Sequence, residues 1–115
     1  MRARVLKDWA QSYDPALKVA RGDRLLAIRE DNNEWAGWVW CTDECGLSGW
    51  LPVQVFDAVE ISKQNNTVMG FNTVELTVHK GETLTIMDRL NGWSWCLNDC
   101  GQEGWVPQDC IGNAS

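Results

Sequence analysis

The chain has 115 residues, ten basic and sixteen acidic, for a net charge of −6. That length holds one domain, or two modules of about 55–60 residues near the lower limit for independent folding. The acidic balance persists on both sides of Ala58, with seven basic and nine acidic residues before it and three and seven after. It offers no cationic groove for phosphates, so nucleic acid and anionic membranes are not expected partners. No apolar run of about 18 residues occurs, and Met1 to Trp9 has no signal-peptide apolar run. Five cysteines, an odd number, fit a reducing compartment better than a disulfide framework, so a cytoplasmic protein is expected.

Taken in chain order, the segments repeat. Val5-Leu-Lys-Asp-Trp9 returns weakly as Thr67-Val-Met-Gly-Phe71, at an offset of 62. Leu17-Lys-Val-Ala-Arg-Gly22-Asp23 returns as Leu76-Thr-Val-His-Lys-Gly81-Glu82, at an offset of 59. Arg24-Leu-Leu-Ala-Ile-Arg29 and Thr83-Leu-Thr-Ile-Met87 are short β-type runs entered through Gly-acid turns. The block from Gly37 to Pro52 returns from Gly92 to Pro107 at an offset of 55, identical at every glycine, tryptophan, cysteine and proline. Within it, Trp38-Val-Trp-Cys41 and Trp93-Ser-Trp-Cys96 alternate as strands, and Asp43-Glu-Cys-Gly46 and Asn98-Asp-Cys-Gly101 have turn chemistry. Gly49-Trp50-Leu51 and Gly104-Trp105-Val106 start return strands that Pro52 and Pro107 stop.

The falling offsets place two loops, because an odd insertion inside a strand would flip its buried face. The first copy has three extra residues between Trp9 and Leu17 and four extra between Gly22 and Trp38. Polar Ser62-Lys-Gln-Asn-Asn66 marks the expected joint, short enough that the modules should touch. The reading is all-β: two copies of about five short strands, each a small barrel or sandwich filled largely by tryptophan. The expected division is 1–60 and 61–115.

These motifs together resemble SH3 domains, and more closely the bacterial variant SH3 type. Val5–Trp9 looks like the family's ALYDY segment, the Leu17–Asp23 and Leu76–Glu82 runs like its diverging turn, and the two G-x-x-G-W-[LV]-P blocks like its hallmark return strand. The resemblance implies two tandem SH3-like barrels packed against each other, the first with longer RT-type and n-Src-type loops. It also implies a non-enzymatic binding role, with no catalytic residue, cofactor or metal. Carried over by position, the ligand groove falls on Trp9, Trp38 and Pro52 in the first copy, with Tyr13 and Trp35 in the adjoining loops. In the second it falls on Phe71, Trp93 and Pro107. Lys7, Met69, Val55 and Cys110 stand where the family has tyrosines, so the groove lacks hydroxyls that hydrogen-bond a polyproline II ligand.

Trp38 and Trp93 read as apolar platforms, or as covers for their own module. Trp40 and Trp95 share their strand face, while Cys41 and Cys96 turn to the core. Trp50 and Trp105 read as structural packing. The paired Cys41/Cys45 and Cys96/Cys100, with Cys110, raise a zinc or redox alternative. The spacing, with one thiol of each pair in the core and one at a turn, argues against it. His79 reads as a surface residue. Carboxylates Asp31, Glu34, Asp43 and Glu44 read as solvated charge or as an attractor for a basic partner. The favoured partner is therefore a protein or extended peptide with apolar and basic residues. Exposed tryptophans also allow a homodimer. A cell-wall or glycan-binding module is the second reading, since aromatic shelves stack on sugars.

Overall fold

The computed structural model describes residues 1–31 and 35–113. They contain short strands and two 3-10 turns, Val53–Val55 and Gln108–Cys110, and no α-helix. Among the described residues no helix is long and apolar enough to cross a membrane. The strands, in chain order, are β1 (Arg2–Val5), β2 (Lys18–Val19), β3 (Arg24–Glu30), β4 (Trp38–Thr42), β5 (Ser48–Pro52), β6 (Gln64–Asn66), β7 (Phe71–Asn72), β8 (Thr83–Leu90), β9 (Trp93–Leu97), β10 (Glu103–Pro107) and β11 (Ile111–Asn113).

The contacts divide the chain into two units that are not its sequential halves. One, here the continuous unit, is Pro15–Thr73. The other, the split unit, joins Met1–Asp14 to Val74–Ser115. The expected boundary at 60/61 falls inside the continuous unit. The stretch read as a joint is β6, paired antiparallel to β3 through Arg24↔Asn66, Leu25↔Asn65 and Leu26↔Gln64. Its polarity misled because Asn65 is buried with its amide satisfied. Oδ1 accepts from Glu60 N–H, and Nδ2 donates to the Glu60 and Lys63 carbonyls.

β1 takes the equivalent place in the other unit. It pairs with β8 through Arg2↔Thr85, Ala3↔Leu84 and Arg4↔Thr83. Trp9 bridges Val78 just as Phe71 pairs with Val19. The weak similarity at offset 62 is thus real, but the two segments are exchanged: each completes the other copy.

The continuous unit has a four-stranded sheet, β5-β4-β3-β6, and the two-stranded ladder β2-β7. The split unit has a five-stranded sheet, β10-β9-β8-β1-β11. Each unit has its own core: Leu17, Val19, Leu25, Val39, Cys41, Leu51 and Val55 in the first; Val5, Leu76, Val78, Leu84, Cys96, Val106 and Cys110 in the second. These sets correspond almost position for position across the repeat.

The turns repeat as well. Gly46 and Gly101 both take positive φ, at 88° and 84°, a conformation without steric cost only for glycine. Asp43 Oδ1 and Asn98 Oδ1 each accept two backbone N–H groups across the turn. Both copies also carry a register shift, between Ala27 and Arg29 and between Ile86 and Asp88. It leaves Ile28 (42% exposed) and Met87 (57%) as the extra, outward residues of a bulge.

Two experiments follow. Deleting residues 1–14 removes the strand between β8 and β11 and the buried Ala3 and Val5. Hydrogen exchange of that variant should show protection kept in 15–73 and lost in 74–113, whereas independent sequential halves would lose it before residue 60. Gly104 is crossed by the Glu75–Leu76 backbone, which a Cβ would meet at 2.8 Å. At Gly49 the nearest obstacle is the Leu17 Cβ, at 2.9 Å. Urea unfolding should show Gly104→Ala destabilising the split unit and Gly49→Ala the continuous one, each by about 1–3 kcal/mol, because in both the added methyl meets atoms whose positions the backbone fixes.

Candidate functional site

Strand alternation sorts the aromatic residues. On β4, Val39 and Cys41 enter the core, so Trp38 and Trp40 share the outer face. On β9, Ser94 and Cys96 point inward, and Trp93 and Trp95 outward. Antiparallel register then sets Trp38 opposite Pro52, Trp40 opposite Trp50, Trp93 opposite Pro107 and Trp95 opposite Trp105. Directly opposed rings pack edge to face: Trp40–Trp50 at 5.2 Å and 62°, Trp95–Trp105 at 5.2 Å and 71°. The Arg29 guanidinium lies 4.9 Å from the Trp50 ring centroid, and Trp95 Nε1 donates to Glu103 Oε1 at 3.0 Å.

The exchanged segments regroup the expected site residues. Trp9 packs edge-on against Trp93, 5.4 Å between centroids at 84°, in the split unit that also holds Tyr13 and Pro107. Phe71 packs against Trp38, 6.0 Å apart, in the unit with Trp35 and Pro52. Neither expected trio stays together. Trp38, the candidate platform of the first copy, is only 5% exposed, and Pro52 and Pro107 are fully buried. Trp9, Trp35, Trp93 and Phe71 are half-buried, and Tyr13 is 41% exposed.

Glu75, which no motif singled out, organises the split unit's aromatic face. Its Oε1 accepts from Trp9 Nε1 at 2.9 Å and from Ser12 N–H at 3.2 Å. Only the exchange brings residues 9–14 to this carboxylate, so spacing along the sequence could not reveal it. Asp31 and Asp43 are half-buried and Glu44 is exposed; Asp43 is occupied in its turn. Glu34 lies outside the described residues.

Residues 72–108 match the family model of the SH3 domain. No curated protein and no solved structure matches the chain. The SH3 match covers the diverging turn, β8, β9 and β10, including Trp93 and Pro107. It begins after Phe71 and excludes β1 and Trp9, which complete the same unit in space. It supports an SH3 domain there, a fold class associated with protein interaction.

The cysteines occupy two environments. Cys41, Cys96 and Cys110 are buried, and Cys45 and Cys100 are exposed at the hairpin turns. No group of three or more His, Cys, Asp or Glu among the described residues is placed to hold a metal ion. His79 is exposed, and its backbone N–H donates to Glu82 in the diverging turn. Burial pushes the Cys41 thiol up to about 12 and Cys96 up to about 11, the latter held down in part by the Arg89 charge. Burial also raises Cys110. A thiol reagent at mildly alkaline pH should therefore modify Cys45 and Cys100 in the native chain and all five only after denaturation. Since Cys41 binds its proton more tightly folded than unfolded, its contribution to stability is present below 9.0 and lost as pH rises towards about 12. Base titration of Cys41→Val should show a shallower loss of stability over that range.

Proposed function

We propose that the chain is a non-enzymatic interaction protein made of two SH3-like units related to the bacterial variant type, the continuous one inserted in the chain of the split one. Its peptide-binding face lies on the split unit at Trp9, Trp93 and Tyr13. The observation that carries this reading is the half-buried Trp9–Trp93 pair, 5.4 Å apart, in the unit that contains the SH3-matching stretch. Crossed indole rings present apolar edges and faces that an extended segment can pack against at little entropic cost. The Glu75 carboxylate fixes the Trp9 ring, so the surface is preorganised.

Charge does not choose between the units, because each carries five basic and eight acidic residues. Aromatic exposure does: the corresponding Trp38 of the continuous unit is buried. That unit is read as a brace. The acidic surface favours a partner segment that combines apolar and basic residues, in an adaptor or regulatory role.

The test is a titration of apolar-basic peptides selected from a library against the full chain and its Trp93→Ala and Tyr13→Ala variants. Trp93→Ala should weaken binding about 30-fold, the scale of a central aromatic hot spot. Peptides that bind both variants as tightly as the parent chain would remove the face from consideration.

A further inference from the structure

At one core position the repeat exchanges an apolar side chain for a polar one left without a partner. Val39 fills the continuous unit's core, and its counterpart is Ser94. Ser94 is 0% exposed, and its Oγ has no hydrogen-bond partner. A hydroxyl stripped of water and given nothing in return is costly, so its presence needs a reason. The same residue lines a recess of about 230 Å³ whose other walls are Met1, Ile86, Arg89, Gln108 and Ile111.

Arg89 adds the second observation. It is the register partner of Ser94 across β8 and β9, so its side chain leaves the sheet on the core-facing side. Its guanidinium reaches the Met1 Sδ at 3.9 Å and acts on the Cys96 thiol, consistent with a place at the mouth of the recess. Arg89 makes no ion pair among the described residues. The neighbouring Asp88 carboxylate is turned to the Arg89 backbone N–H, at 2.8 Å. Asp109, beside Gln108, is exposed. Apolar walls, an unpaired cation and an orphan hydroxyl donor thus converge on one space. Trp93 lies on the opposite face of β9, so this space is distinct from the aromatic surface.

We propose that the recess binds a small organic carboxylate with a short branched aliphatic body, either free or as the last residue of a peptide. The carboxylate pairs with Arg89 and accepts the Ser94 hydroxyl, and the aliphatic body lies against Ile86, Ile111 and Met1. Charge-assisted pairing of this kind is strong where the site is partly desolvated. In the continuous unit Val39 leaves no such donor at the corresponding position.

The experiment is an NMR titration of the full ¹⁵N-labelled chain with 3-methylbutanoate. The neutral isostere 3-methylbutanamide and inorganic phosphate serve as comparisons. A parallel arm uses a short peptide ending in leucine, as free acid and as amide. Saturable shifts at Ser94, Ile111 and Gly112 are expected with the carboxylates and not with the amides or phosphate. Arg89→Gln, an exposed change, should weaken binding about tenfold or more. Ser94→Val, which installs the residue of the first copy, should abolish it while leaving the melting temperature equal or higher. Tighter binding of the acid-ended peptide than of 3-methylbutanoate assigns the ligand to a chain terminus, and the reverse assigns it to a free acid; either supports the site. No saturable shift with either carboxylate, equal shifts with the amides, or undiminished binding by Arg89→Gln overturns it.

Discussion

The pairing of β1 with β8 is the constraint on which the rest of the architecture depends. An unpaired edge on β8 would leave backbone donors and acceptors without partners and Leu84 without the Ala3 and Val5 cover. Filling that edge with residues 2–5 instead of the nearer β6 forces the chain to leave the unit after Asp14 and return at Val74. It also decides which aromatic residues meet: Trp9 follows β1 to Trp93, and Phe71 follows β6 to Trp38. The site is thus a consequence of strand exchange as much as of the residues that form it.

Much of the local structure was legible. The alternation in Trp38–Cys41 and Trp93–Cys96 put one indole pair outside and one thiol inside, as observed, because a strand's period of two leaves little freedom once one face is buried. The Asp43 and Asn98 turns followed from side-chain acceptors placed two residues before the next donor. What was not legible is partner choice at long range. Segments 2–9 and 64–71 are near-equivalents, so either fits beside β3 or β8, and no periodicity distinguishes the two pairings. The burial of Trp38 belongs to the same class, since an outward strand position fixes direction and not what covers it.

The two copies have diverged in what their outer and inner faces carry. Arg29 lies over Trp50, whereas its counterpart Asp88 turns to the backbone and leaves Trp95 to find Glu103. A cation on an indole and a carboxylate on an indole N–H both fix the ring, but they leave opposite charge at the surface. Inside, the exchange of valine for serine at the position of Val39 and Ser94 costs packing and gains polarity. That exchange falls in the split unit, the one proposed to carry the binding face.

Connectivity also orders assembly. Every strand pair of the continuous unit joins residues within 15–73, whereas the split unit's sheet joins Ala3 to Asn113 across nearly the whole chain. Closing the longer loop from an unfolded chain costs more entropy, though only logarithmically with length. Folding 15–73 first would reduce that cost, because only the arms 1–14 and 74–115 would then remain to pair.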